Sequence, residues 1–283
     1  MTSQTPDSND RPSAEIGVIG GSGLYEFLDD ARTVEVDTPW GRPADPLVIG
    51  EVEGRSVAFV ARHGKGHRFA PHRVNYRANL WALRAVGVRQ ILAPCAVGSL
   101  LPDNGPGTIV VPDQLVDRTW GRGHTFYEDE GPVVHVGFAD PFCPNGRQVA
   151  VDAARLAGMD VVTEGALVVV NGPRFSSRAE SLMHQQAGWS IVGMTTMPEA
   201  ALARELAMCF TTIALVTDHD AGVEGAEAVA HEEVLRVMAA NIERLKSVLR
   251  DAVGQLPAHE DDDSATCACR RSLDGIPLPF PLP

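Results

Sequence analysis

The fold is decided by the stretch Gly17-Val-Ile-Gly-Gly-Ser-Gly-Leu24. The apolar run Ile16 to Ile19 leads into its glycines and is typical of a short buried strand. Glycines let backbone N–H groups approach an anion closely, and the hydroxyl of Ser22 can donate one more hydrogen bond. The stretch therefore predicts a phosphate-binding turn or an ordinary tight turn, since it matches neither the dinucleotide-binding fingerprint nor a Walker loop.

Three later apolar runs also end in groups that can bind an anion. The run Ser56 to Ala61 leads into Arg62 and His63, and a guanidinium with an imidazole is a common pair of partners for a doubly charged oxyanion. The run 91–99 breaks into small residues, and the run 192–199 ends in threonine hydroxyls. Each feature alone is compatible with a structural role, but four such strand ends together predict one anion site.

Composition limits the class of protein without identifying it. A chain of 283 residues with 44% hydrophobic content can bury a substantial core. Its net charge of −13 argues against a nucleic-acid partner, which would need a basic face. The first fourteen residues are polar, whereas a secretory signal has an apolar central region. No run approaches the roughly 20 apolar residues of a membrane span. We therefore expect a cytoplasmic protein.

Strand-like and helix-like runs alternate along the chain and predict an α/β fold. We expect a disordered N-terminal extension over residues 1–14, one domain over 15–254, and an acidic, Pro-rich tail over 255–283. The tail contains the pair Cys267 and Cys269. Such a pair is too short for a zinc site without two further ligands, so we expect two exposed thiols.

Six blocks of the sequence, in order between about Ile16 and Val253, resemble the methylthioadenosine phosphorylase branch of the trimeric purine nucleoside phosphorylases. They are Gly20-Gly21-Ser22-Gly23-Leu24, Ala61-Arg62-His63-Gly64, Val74-Asn75-Tyr76-Arg77-Ala78-Asn79, Gly172-Pro173-Arg174-Phe175-Ser176-Ser177-Arg178-Ala179-Glu180-Ser181, Met194-Thr195-Thr196 and Thr217-Asp218-His219-Asp220. The resemblance implies a purine nucleoside phosphorylase-type fold, with a mixed, partly barrel-like central sheet surrounded by helices. It also keeps open a strained, redox-active disulfide between Cys267 and Cys269, because some relatives carry one in the tail.

The resemblance also implies a reaction, in which inorganic phosphate cleaves 5′-methylthioadenosine to adenine and 5-methylthioribose 1-phosphate in purine and methionine salvage. Phosphate is then a co-substrate, and no metal or organic cofactor is expected. The transition state is an oxocarbenium ion between two anions, so the protein must position phosphate and stabilise the departing base. The resemblance assigns phosphate to Ser22, Arg62, His63, Cys95, Ala96 and Thr195, although relatives commonly have threonine in place of the cysteine.

The base pocket implied by the resemblance favours adenine. Relatives that act on 6-oxopurines have a glutamate in place of Ser176 and an asparagine in place of Asp218, whereas a carboxylate acceptor suits the 6-amino group of adenine. We expect Asp218 to protonate N7 and Asp220 to accept from the amino group, because two close carboxylates raise one pKa. Phe175 is expected beside the purine and Met194 beneath the ribose.

The 5′ end of the expected pocket departs from the methylthioadenosine branch. That branch has a valine in place of His231, and an imidazole at this position could donate to the 5′-hydroxyl of adenosine. Val234 and Leu235 remain apolar, and His135 is expected from an adjacent subunit, which implies a homotrimer. Methylthioadenosine is therefore the first candidate substrate. Three alternatives remain: phosphorolysis of adenosine or another 5′-substituted adenosine, hydrolysis, and a non-catalytic nucleoside-binding protein.

Overall fold

The computed structural model describes residues 13–21, 24, 28–223, 229–258 and 267–283. Ser22 of the expected phosphate turn and most of the N-terminal extension lie outside the described residues. The strands are β1 (Ile16–Gly20), β2 (Asp29–Val34), β3 (Leu47–Val52), β4 (Arg55–Ala61), β5 (Gln90–Ser99), β6 (Ile109–Val110), β7 (Gln114–Arg118), β8 (Val161–Val162), β9 (Ala166–Val170), β10 (Ile191–Gly193) and β11 (Cys209–His219). The helices are α1 (Tyr76–Ala85), α2 (Pro144–Leu156), α3 (Arg178–Gln186), α4 (Thr196–Glu205) and α5 (His231–Gln255).

All described strands belong to one mixed sheet that branches at β5. The main path runs β2-β3-β4-β1-β5-β10-β9-β7, while β11 also pairs with β5 and carries β6, which in turn pairs with β8. Strand β1 lies parallel to the first part of β5 and leaves it after Leu92, whereas β10 joins antiparallel at Gly98 and Ser99. This divergence leaves one edge of residues 93–97 of β5 without a paired strand, and we call the gap between β1 and β10 the crevice.

Helices cover both faces of the sheet, because successive side chains of a buried strand point to opposite sides. Ile19 of β1 packs in a cluster with residues of α1 and α4, while its neighbour Val18 packs with residues of α2 and α5. The α/β class and the mixed sheet surrounded by helices are therefore confirmed. None of the helices within the described ranges combines the length and apolarity that a membrane crossing requires.

The C-terminal segment, residues 267–283, packs against this domain. The ring of Phe280 lies 5.3 Å from that of Tyr127 and 5.9 Å from that of Trp81, measured between centroids. Cys267 and Cys269 are only 7% and 3% exposed. The expectation that these two thiols would be exposed is therefore wrong, because the segment folds back onto the core.

Candidate functional site

The crevice beside β5 receives the ends of three parallel strands. Arg62 follows β4 directly, and its backbone N–H donates to the carbonyl of Gly20, the last residue of β1, at 2.9 Å. In α/β sheets, ligands bind beyond the carboxyl ends of the strands, where neighbouring strands separate. The divergence of β1 and β10 therefore marks the expected anion site.

Arg62 is held there by a buried ion pair with Glu199 of α4. Its Nε and Nη2 donate to the two carboxylate oxygens at 2.6 and 3.0 Å, and Nη1 donates to the carbonyl of Pro94 at 3.0 Å. Burial opposes the charge of the guanidinium, but the carboxylate of Glu199 outweighs it and raises the pKa of Arg62. These bonds use three of the five N–H donors of the side chain, so two donors are left for a ligand.

His63 is buried next to Arg62 as a neutral imidazole. Burial, followed by the charge of Arg62, lowers its pKa to about 4. The Nδ1 atom lies 2.8 Å from the carbonyl of Phe69, which can only accept, so the proton is on Nδ1 and Nε2 carries the lone pair. The ring stacks on that of His67 with 4.1 Å between centroids.

The remaining residues expected to bind phosphate lie at the same end of the sheet. Cys95 of β5 is half-buried, and burial raises the pKa of its thiol to about 11. Thr195 is buried at the N-terminus of α4, and its side chain forms no capping hydrogen bond within the described part of the chain. Ala96 is exposed on β5. A thiol, a hydroxyl and a helix N-terminus are therefore added to the guanidinium and imidazole.

A β-bulge at the end of β11 brings the two aspartates together. The pairing with β5 shifts between Val216 and Asp218, so that Asp218 lies opposite Gly98. A Cβ atom placed on Gly98 would lie 3.0 Å from Oδ1 of Asp218 and 3.4 Å from Cβ of Asp220. Both side chains thus lie next to this glycine. Bulges of this kind often change the direction of side chains near functional sites.

Both carboxyl groups of this pair have raised pKa values. Burial raises the pKa of Asp218 to about 6, against a hydrogen bond from the Thr217 hydroxyl at 2.8 Å, and the charge of Asp220 adds to the increase. Burial also raises the pKa of Asp220, opposed by the nearby hydroxyls of Ser176 and Ser181. Its Oδ2 atom is buried and has no hydrogen-bond partner among the described residues.

The loop that precedes α3 contributes the other residues expected near the base and the sugar. Ser176 faces Asp220, and Phe175 is half-buried beside it. Gly172 has a left-handed backbone, with φ of +61°, and a Cβ atom there would lie 2.5 Å from the sulfur of Met194. Only glycine fits this position, because Met194 packs against its backbone.

The residues expected at the 5′ end come from the beginning of α5, with one exception. His231 is exposed, but it lies close enough to His67 that its charge adds to burial in lowering the pKa of His67. Val234 follows it as a half-buried residue, and Leu235 is 55% exposed. His135 lies exposed in the connection between β7 and α2, and no described contact brings it to the crevice of its own chain.

Three residues of the site were not identified from the sequence. Glu199 pairs with Arg62, and Arg122 is buried with Nη1 at 3.2 Å from the hydroxyl of Tyr76 and 2.5 Å from the carbonyl of Met197. Tyr76 donates in turn to the carbonyl of Pro71 at 2.7 Å. These groups link the loop after β4 to α4. None of the three directly follows an apolar strand, which is the pattern that identified the other site residues.

Comparisons with known proteins agree on one family. A family model described as the phosphorylase superfamily matches residues 15–254. The chain is 59% identical over 277 residues to a purine nucleoside phosphorylase from Streptomyces coelicolor, covering 95% of this chain and 98% of that relative. It is 50% identical over 269 residues to an S-methyl-5′-thioadenosine phosphorylase from Mycolicibacterium smegmatis, covering 95% and 99%. It is also similar to an adenosine/methylthioadenosine phosphorylase from Schistosoma mansoni, solved as a mutant with methylthioadenosine, with a TM-score of 0.81, 38% identity and coverage of 88% and 93%.

Proposed function

The chain belongs to the phosphorylase superfamily, and from this membership we propose that it cleaves 5′-methylthioadenosine with inorganic phosphate. The products are adenine and 5-methylthioribose 1-phosphate. The protein is an enzyme of the pentosyltransferase class, and phosphate is its co-substrate. The observation that carries the proposal is the crevice itself, which combines a buried guanidinium at one end with two protonatable carboxyl groups at the other.

At the phosphate end, each proposed contact has a physical reason. Arg62 has two free N–H donors and is held in place by Glu199, so little side-chain entropy is lost when it binds. The thiol of Cys95 is neutral and can donate to a phosphate oxygen, as can the hydroxyl of Thr195. The lone pair on Nε2 of His63 can accept from a protonated phosphate or take up a proton beside a dianion. Phosphate held below the sugar then attacks C1′ as the bond to the purine breaks.

At the base end, Asp218 is the proposed general acid toward N7. A carboxyl group with a pKa of about 6 is partly protonated near neutral pH, which is what proton donation to a departing base requires. Asp220 is proposed to accept from the 6-amino group, and its unpartnered Oδ2 supports this assignment. Phe175 would pack beside the purine, and Met194 beneath the ribose.

A second candidate substrate is adenosine, and the position of His231 favours it. The first residue of α5 lies near His67, which stacks on His63. An imidazole at this end of the crevice can donate to a 5′-hydroxyl and has less to offer a thioether. The relative from Streptomyces coelicolor is a purine nucleoside phosphorylase, and the one from Schistosoma mansoni is an adenosine/methylthioadenosine phosphorylase.

The proposal includes an assembly and a location. A homotrimer would bring His135 of one subunit to the crevice of the next, where an exposed residue becomes part of a pocket. The reaction as proposed needs no metal or organic cofactor, because the departing base and the attacking phosphate are both stabilised by protein groups. The cytoplasmic location expected from the sequence stays a prediction.

The test is adenine release from methylthioadenosine, adenosine and 5′-deoxyadenosine, and hypoxanthine release from inosine, each with and without inorganic phosphate. We expect phosphate-dependent cleavage of the three adenine nucleosides only, with a sugar 1-phosphate as the second product. Cleavage to a free sugar without phosphate would instead identify a hydrolase. Nucleoside binding measured by calorimetry, with no turnover under any condition, would identify a binding protein and overturn the proposal.

A further inference from the structure

Four of the five cysteines meet at one buried point, far along the chain from one another. They are Cys143 at the start of α2, Cys209 at the start of β11, and Cys267 and Cys269 of the C-terminal segment. Their four sulfur atoms all lie within 4.8 Å of one another, and all four residues are buried. The sequence alone places only the last two together, and two ligands are too few for a metal site.

The spacing of the sulfur atoms matches that around a tetrahedral ion. The sulfur of Cys267 lies 3.5 Å from that of Cys143 and 3.4 Å from that of Cys209. A disulfide bond would require about 2.05 Å between sulfur atoms. Four thiolates at about 2.3 Å from a central zinc ion stand about 3.8 Å apart, because that is the edge of the corresponding tetrahedron. The two separations from Cys267 are slightly shorter than this value, and no pair of sulfur atoms in the cluster is more than 4.8 Å apart.

The surroundings of the cluster favour negative charge on the sulfur atoms. Nη2 of Arg204 lies 3.8 Å from the sulfur of Cys269, and the same guanidinium donates to the carbonyls of Gly137 and Asp140 at 2.7 and 2.6 Å. Cys143 is the N-cap of a helix of 13 residues, whose dipole places partial positive charge at that end. Four thiolates around a divalent cation carry two negative charges in excess, which these groups would offset.

We propose that Cys143, Cys209, Cys267 and Cys269 form a closed structural site for Zn²⁺. A set of four sulfur ligands selects zinc over magnesium or calcium, which prefer oxygen. Four protein ligands leave no open position, so the ion has a structural role rather than a catalytic one. Bound there, it would fasten the C-terminal segment to β11 and α2, and thereby hold Phe280 against Tyr127.

The first test measures metal in the full-length protein, purified under reducing conditions and then incubated with zinc and desalted. We expect about one zinc per chain by elemental analysis. Cobalt offered instead of zinc should produce a sulfur-to-cobalt charge-transfer band, which reports thiolate ligands directly. If neither zinc nor the cobalt band is found although the four cysteines of the cluster are still reduced, the proposal is wrong. Two disulfide bonds found by mass spectrometry without reductant, in protein that binds no zinc after reduction, would also overturn it.

The second test uses matched cysteine variants. Cys269→Ser should lower the zinc content at least about tenfold, because a missing thiolate opens the tetrahedron. Cys95→Ser is the control, since Cys95 lies outside the cluster, and its zinc content should equal that of the parent. Far-ultraviolet circular dichroism establishes that each variant is folded, and the cobalt spectrum of the parent decides the question if the first variant is not. Equal zinc in both variants would place the metal elsewhere and refute the site.

Discussion

Replacing Asp218 with asparagine should make the protein more stable and less active at the same time. Burial raises the pKa of this carboxyl group from 3.8 to about 6. Above pH 6 the group is ionised in both the folded and the unfolded chain, and folding must then bury a carboxylate. Between the two values the folded chain keeps a proton that the unfolded chain has lost, and below 3.8 the unfavourable contribution disappears.

The size of the effect follows from this difference in pKa. The buried carboxylate lowers the free energy of unfolding by at most about 3 kcal/mol at pH 8. The loss is nearer to about 1–2 kcal/mol, because the side chain is only partly buried and solvent screens its charge. The asparagine side chain would keep the shape and can still accept from the hydroxyl of Thr217, so little packing is lost. For a chain of this length, such a gain raises the melting temperature by a few degrees. Loss of the general acid should lower kcat about 10²- to 10⁴-fold.

The assay combines thermal unfolding at pH 8 and pH 5 with phosphate-dependent adenine release from methylthioadenosine. The gain in melting temperature should be larger at pH 8 than at pH 5, because the carboxylate is the unfavourable form. Asp129→Asn is the matched control, since Asp129 is exposed and its replacement should change neither quantity. A variant of Asp218 that melts no higher than the parent at pH 8 would refute the argument from burial. An unchanged kcat would remove the role of general acid.

Three further changes test the other parts of the site. Glu199→Gln leaves Arg62 as a buried charge with a weaker partner, so unfolding free energy should fall by up to about 3–5 kcal/mol and KM for phosphate should rise; a stable variant with unchanged KM would contradict the positioning role. His231→Val should shift the ratio of kcat/KM values toward methylthioadenosine over adenosine by about fivefold to tenfold, the equivalent of one hydrogen bond, and an unchanged ratio would place His231 outside the 5′ pocket. Binding of sulfate, a permanent dianion, should raise the pKa of His63 from about 4 and draw a proton from solution at pH 6. Calorimetry in buffers of different ionisation enthalpy measures that uptake. A bound dianion should also protonate Asp218, so the comparison is made in an Asp218→Asn background, where His63→Asn, which can still donate to Phe69, should abolish the remaining uptake.

The sequence predicted β1, which is buried, and missed β2, which is exposed. The run Ile16–Ile19 is apolar throughout and becomes β1, whereas β2 is the polar segment Asp29–Val34, which lies almost wholly exposed at the edge of the sheet. An exposed edge strand has no apolar face and therefore no alternating pattern. The run 91–99 breaks into small residues in the sequence, yet β5 continues to Ser99, because pairing with β11 along its whole length overrides the local effect of proline and small residues.

The sequence predicted the site residues that stand next to one another in the chain. It did not predict the pairs whose members are far apart in the chain and meet only in the folded structure. Arg62 with His63, and Asp218 with Asp220, stand together in the chain, so a strand followed by polar groups was a usable signal. Glu199 lies 137 positions from Arg62, and nothing in either local sequence announces their pairing. The same holds for Cys143 and Cys209, which meet Cys267 only after the C-terminal segment has folded back. Each of these contacts depends on tertiary structure.

The charge arrangement of the crevice links its two ends. The pair of Arg62 and Glu199 has no net charge, and His63 is neutral, so the charge of Arg122 is left to offset one of the two negative charges of an arriving phosphate dianion. Gly98, beneath Asp218, is three residues along β5 from Cys95, or about 10 Å. At an effective dielectric constant near 20, one net negative charge at that distance favours the protonated carboxyl group by about 1.7 kcal/mol, which is about one pKa unit. The carboxyl group of Asp218, with a pKa of about 6 before phosphate binds, would then be about half protonated at neutral pH once phosphate is bound. In the proposed mechanism, binding of the attacking group therefore prepares the proton donor, which explains how a carboxyl group can act as a general acid at that pH.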